Sequence, residues 1–131
     1  MERFFEPKDR RKFVRWLLEE TTRNKWTAVF EHKDDEGYNI LRKNGTVVTL
    51  PNSAEHHYLE DHRFTAVTDL RINNKVVNKI IKNTSVLSIH TRTEMILLIA
   101  DDFHHECFSC SSSFHDSYYD VLQAQDLIQS T

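Results

Sequence analysis

The stretch "EMILLIADDFHHECFSC", Glu94 to Cys110, contains the most apolar run of the chain and both of its cysteines. The six apolar residues Met95 to Ala100 are far fewer than the roughly 20 that cross a bilayer, and a run of this length is typical of one buried strand. Before it, "SVLSIHTR" predicts a second strand, joined to the first by a tight connection around Thr91 to Thr93. The cluster of acids and histidines after Ala100 therefore marks the end of a strand, and "ECFSCS" predicts a further short one.

Helices are predicted at both ends of the chain. Pro7 suits the first turn of a helix, and Phe13 and Leu17 follow at helical spacing, so we expect a helix from about Pro7 to Thr22. Towards the C-terminus, Ser113 is a suitable N-cap for an amphipathic helix. Both helices have an apolar stripe that must be buried against another element.

The middle of the chain alternates in the manner of strands. "KWTAVFEHK", then "YNILRK" after the turn "DDEG", then Thr46 to Leu50 after the pair Asn44-Gly45 predict a three-stranded antiparallel meander. A loop or a short helical turn is expected over Asn52 to Arg63. "FTAVTDLRI" predicts another strand, whereas "NNKVVNKIIKN" fits a helix by its spacing and a strand by its β-branched residues.

Together these elements predict one α+β domain over residues 1–131, a largely antiparallel sheet of five to seven strands with an N-terminal and a C-terminal helix packed on it. The chain has 39% apolar and 28% charged residues, which is ordinary for a soluble globular protein. Its N-terminus lacks the apolar stretch of a signal peptide, so we expect a cytoplasmic protein that does not contact the membrane.

The charge balance bears on the class of partner. With 17 basic and 20 acidic residues the formal net charge is -3, which favours basic partners slightly and gives no footprint for direct nucleic-acid binding. One face of the N-terminal helix carries Arg10, Arg11 and Arg15. We interpret this face as a solvated helix surface.

A metal site is the first chemical alternative. Zinc prefers thiolate and imidazole ligands, and this part of the chain offers five of them: His104, His105, Cys107, Cys110 and His115. No second C-x-x-C pair exists, and residues three apart in a strand point to opposite faces, which would separate Cys107 from Cys110. We therefore expect no metal site and no cofactor.

A hydrolytic site is the second alternative. His56, His57 and His62, beside Glu55, Glu60 and Asp61, offer the acid and base of a metal-independent ribonuclease. The only two glycines, Gly37 and Gly45, are expected in turns, so there is no glycine-rich loop to hold a phosphate. A small histidine-dependent hydrolase or ribonuclease stays open as the alternative function.

The third interpretation is a protein interface. The clusters "HKDDEG", "AEHHYLEDH" and "ADDFHHE" each fall where a predicted strand ends, so they are expected to converge on one rim of the sheet. An acidic rim would attract a basic partner, and aromatic side chains beside it would anchor that partner. The predicted contact residues are Asp101, Asp102, Glu106, Glu60 and Asp61, with Phe103 and Tyr58 as anchors.

The C-terminal third also suggests a family. An apolar strand that runs into "DDF", then "EC" and a short strand, then an amphipathic helix ending in "LI" resembles the small cytosolic immunity proteins that protect bacteria from contact-dependent or other polymorphic toxins. The resemblance implies a non-enzymatic inhibitor that binds a cognate toxin, often a nuclease, and covers its active or substrate-binding face. Because those families diverge widely at their interfaces, it assigns no contact residue.

Overall fold

A computed structural model describes residues 3–53, 64–104 and 107–129 of the chain. Over these ranges the protein has an α+β fold, with a seven-stranded antiparallel sheet and four helices, which confirms the predicted fold class. The strands are β1 (Arg3–Phe4), β2 (Thr27–His32), β3 (Thr46–Val48), β4 (Phe64–Thr68), β5 (Thr84–His90), β6 (Met95–Ile99) and β7 (Phe108–Cys110). The helices are α1 (Arg10–Arg23), α2 (Asp35–Asn44), α3 (Asn74–Asn83) and α4 (Ser112–Ala124).

The strand order is β1-β7-β6-β5-β2-β4-β3, and every neighbouring pair is antiparallel. The predicted hairpin of β5 and β6 is present, with Leu87 opposite Ile99 and Ile89 opposite Leu97. β5 occupies the centre of the sheet, and the apolar run of β6 lies beside it. The most apolar stretch of the sequence is therefore an interior strand.

The predicted meander is wrong, because residues 35–44 form a helix. Asp34 caps α2 by accepting a hydrogen bond from the backbone amide of Gly37 at 3.1 Å. Acidic residues in the first turn and basic residues in the last turn of α2 complement the helix dipole. Gly45 ends this helix instead of forming a hairpin turn, and β2 pairs with β4 and β5 rather than with its neighbour in sequence.

The other helices begin where a polar side chain caps them. α1 starts at Arg10, a little later than predicted, because the carboxylate of Asp9 accepts hydrogen bonds from two backbone amides of the first turn. α4 is capped by Ser111 rather than Ser113. The segment "NNKVVNKIIKN", which fitted either a helix or a strand, forms α3, with Asn73 as its N-cap. Within the described residues, none of the helices has both the length and the apolar character needed to cross a membrane.

One hydrophobic core lies between the helices and one face of the sheet. Phe13 and Leu17 of α1 are completely buried in it, together with Phe30 of β2 and Leu87 of β5. Phe13 also contacts Phe108 edge-on, with ring centroids 5.5 Å apart. This packing fixes α1 against the sheet and so sets the position of its basic first turn.

Candidate interaction surface

Two of the predicted polar clusters, "HKDDEG" and "ADDFHHE", meet at one edge of the sheet. The antiparallel pairings bring the ends of β2 and β6 to the same edge as the starts of β4 and β5. We call this edge, with residues 32–33, 64, 84 and 100–103, the rim. Across it, Lys33 Nζ lies 3.3 Å from Asp102 Oδ1, and both side chains are about half exposed.

The remaining polar cluster, "AEHHYLEDH", falls outside the described residues. Phe64, the first residue described after it, pairs with Glu31 next to the end of β2, so the chain re-enters the sheet at the rim. The predicted contact residues Tyr58, Glu60, Asp61 and Glu106 all lie outside the described ranges. The same holds for Glu55, His56, His57 and His62 of the hydrolase alternative, and for His105.

A turn with unusual backbone geometry ends β6. Asp102 and Phe103 have φ angles of 56° and 64°, in the left-handed region that residues other than glycine rarely adopt. Phe103 is only 1% exposed and belongs to the core. Contrary to expectation, its ring is therefore not offered to a partner, because it is used to hold the turn against the sheet.

The rim opens into a groove with a basic lining. Residues from the first turn of α1, from the second half of α3 and from the rim line it, and its volume is about 590 Å³. We call it the basic groove, and its lining residues are Arg10, Arg11, Lys33, Asn78, Ile81, Lys82 and Asp102. Asp102 is the only predicted acidic contact residue whose side chain is described, and four cations line the groove with it.

A smaller groove continues from the basic groove along α1 and α3. Its volume is about 260 Å³, and it shares Arg11 and Asn78 with the basic groove. It adds Lys12 and Arg15 to the basic surface. Arg15 is already engaged, since its guanidinium donates to Glu19 Oε1 at 2.9 Å and also contacts Asn74.

A buried histidine lies on the other side of the sheet. Leu87 and Ile89 belong to the core, so alternation directs Ser88 and His90 to the opposite face. His90 Nε2 lies 2.7 Å from Ser88 Oγ, and His90 Nδ1 lies 2.9 Å from Ser53 Oγ. Burial lowers the pKa of His90 to about 4. The imidazole is therefore neutral at neutral pH, and both of its nitrogens are used within the protein.

The two cysteines occupy different environments. Cys110 pairs with Leu97, is completely buried in the core, and has its pKa raised to about 11 by that burial. Cys107, just before β7, is partly exposed. His115 stacks on Tyr119, with ring centroids 4.6 Å apart. Within the described ranges, no three His, Cys, Asp or Glu residues are grouped as a metal ion would require.

Comparison of the chain with protein-family models, with curated proteins and with solved structures gave no match. The resemblance of the C-terminal third to immunity proteins therefore remains a likeness of sequence pattern.

Proposed function

We propose that this chain is a non-enzymatic, cytoplasmic binding protein that neutralises a cognate toxin by covering its active or substrate-binding face, with the rim as the contact surface. The contact between Lys33 and Asp102 carries the proposal, because it brings two of the three polar clusters together at one edge of the sheet. Segment 54–63, which contains three of the predicted contact residues, leads into β4 at that same edge.

The left-handed turn supports a recognition role for the rim. Non-glycine residues keep such a backbone only where their surroundings hold it, and these positions often coincide with binding sites. Burial of Phe103 holds the turn from inside, while the side chain of Asp102 stays 57% exposed. The turn thus presents a charged group to solvent from a fixed position.

The charges of the rim are better suited to recognition than to stability. An exposed ion pair such as Lys33 with Asp102 contributes only about 0–1 kcal/mol to folding. Across an interface, the same charges steer association and reject partners with the wrong charge pattern. This difference in effect is the reason for assigning the rim to partner binding.

The test begins with the product of the neighbouring open reading frame. Co-expression with this chain should restore growth to cells that the neighbouring product inhibits, and the two proteins should elute together in size-exclusion chromatography. The double variant Asp101→Lys/Asp102→Lys should lower the association rate about tenfold, as expected for charges that steer encounter, and should weaken protection.

Two further variants distinguish a loss of the contact surface from a loss of folding. Asp116→Lys/Asp120→Lys changes the net charge equally at exposed positions of α4 and should protect like the natural chain. Asp102→Asn removes one charge but keeps a residue that tolerates left-handed backbone, so it should fold normally. Full protection by the Asp101/Asp102 double variant would exclude the rim as the interface. A neighbouring product that is harmless, or that does not bind, would refute the neutralising function.

A further inference from the structure

We propose that the basic groove is a docking site for an acidic, extended segment of a partner protein. The groove shares Lys33 and Asp102 with the rim, but its acidic ligand does not depend on the neutralising function. It commits to a ligand chemistry of clustered carboxylates with an accompanying apolar side chain.

Two cations of the basic groove lie at the start of a helix. Arg10 and Arg11 are exposed in the first turn of α1, where the helix dipole is positive and cations are unfavourable. No acidic residue within that turn offsets them; the carboxylate of the N-cap Asp9 is used on backbone amides. A bound carboxylate would relieve this repulsion.

The side chains of these two cations have no partner among the described residues. In the described part of the chain, the side chains of Arg10, Arg11 and Lys82 form no hydrogen bond or ion pair, and of the cations in the basic groove only Lys33 has a side-chain partner, Asp102. Arg15 and Lys8, by contrast, are paired with Glu19 and Asp126. Each of the two guanidinium groups of Arg10 and Arg11 can donate two parallel hydrogen bonds to a carboxylate.

The fold assembles the groove from elements that are distant in sequence. The backbone amide of Lys33 donates to the carbonyl of Asn83 at 2.9 Å, which holds the end of β2 against the end of α3. This contact brings Lys33 to the end of α3, where Lys82 precedes Asn83 in sequence, and both lysines line the groove together with Arg10 and Arg11 of α1. Cations from three separate parts of the chain therefore line one groove, where they can contact several carboxylates of one extended segment.

The lining also favours a protein segment over nucleic acid. Ile81 is partly buried in the groove and offers an apolar contact, whereas none of the seven lining residues is aromatic. Single-stranded nucleic acid is usually held by stacking of its bases on aromatic rings. The net charge of -3 also gives the chain no extended positive field for a phosphate backbone.

The experiment measures the binding of a fluorescein-labelled oligoglutamate of about ten residues by fluorescence anisotropy, with oligoglutamine as the uncharged probe. Oligoglutamate should bind, and its affinity should fall as salt rises. Arg10→Glu/Arg11→Glu should weaken binding at least about tenfold. Because acidic residues are favourable in the first turn of a helix, this variant should melt at the same temperature as the natural chain or higher, so a loss of binding would not reflect unfolding.

The matched control is Arg42→Glu/Lys43→Glu, which changes the net charge equally at two exposed positions of α2 and should leave binding nearly unchanged. If both double variants lost the same affinity for oligoglutamate, the peptide would be attracted to the chain's charge in general, and the groove would not be a specific site. Tighter binding of single-stranded RNA or duplex DNA than of oligoglutamate at about 0.15 M salt would assign the groove to nucleic acid and overturn the proposal. Absence of oligoglutamate binding would also overturn it.

Discussion

The two cysteines differ enough in burial to be distinguished by a chemical reagent. Iodoacetamide reacts with thiolates, so at about pH 8 we expect it to modify the partly exposed Cys107 and to spare Cys110, whose pKa burial raises to about 11. Mass spectrometry of the digested protein would locate the label. Cys107→Ser should incorporate no label until the chain is unfolded in guanidinium. Modification of Cys110 at the rate of Cys107 would contradict the burial of β7.

At the scale of single residues, the sequence predicts how the two cysteines are spaced on a strand but does not predict where the backbone is strained. Strand periodicity predicts that Cys107 and Cys110 are separated; the structure buries Cys110 in the core and leaves Cys107, just before β7, partly exposed. Nothing in "DDF" indicates that Phe103 adopts a positive φ angle, since that conformation is uncommon for a bulky aromatic residue. Its burial depends on contacts with strands that are distant in the sequence.

At the scale of elements, α2 shows which local signals were misinterpreted. A run of acids before Gly37 is typical of a turn, and the short segment after it has no long apolar period. The helical signals were nevertheless present: Asp34 as a cap, Asp35 and Glu36 in the first turn, and basic residues in the last. These capping signals are local and could have identified the helix.

Gly37 is needed for the packing of α2. A Cβ atom added there would lie 2.6 Å from His32 Cβ and 3.0 Å from the carbonyl oxygen of Asn83, neither of which can move freely. Alanine favours a helix by about 1 kcal/mol, but we expect the clash to dominate and Gly37→Ala to lower the free energy of unfolding by about 1–3 kcal/mol. Urea denaturation would measure the loss.

The control for this change is Asn39→Ala, at an exposed position of the same helix, which gains helix propensity without a steric cost. It should be as stable as the natural chain or slightly more so. If Gly37→Ala were equally stable, α2 would not pack against β2 and the end of α3 as described.

At the scale of the whole molecule, the fold class could be predicted but the strand order could not. Strand alternation, the apolar run that ends at Ala100 and the helical spacing near both ends of the chain are local signals. They predict an antiparallel sheet with helices. The position of β2 between β4 and β5 depends on pairing between distant segments, which no local pattern determines. The basic groove has the same origin: Arg10 and Arg11 come from α1, whereas Lys33 and Lys82 reach it only through the topology.

The stability of the molecule should depend on pH through His90. Its pKa is about 4 in the folded protein and about 6.5 in the unfolded chain. Above pH 6.5 both states are neutral and His90 adds no pH dependence. Between these values the unfolded chain binds a proton that the folded protein does not, so the free energy of unfolding should fall by up to about 3 kcal/mol as the pH is lowered through this range. Below about pH 4 both states are protonated and the decline from this group ends.

Urea midpoints between about pH 7.5 and 4.5, measured for the natural chain and for His90→Gln, would isolate this effect from that of the carboxylates. The variant should be less stable at pH 7, because glutamine cannot reproduce both hydrogen bonds to Ser53 and Ser88. Its stability should nevertheless change less with pH, so the two curves should approach each other as the solution is acidified. Parallel curves would mean that His90 is not the group responsible, and that water reaches its imidazole in the folded protein.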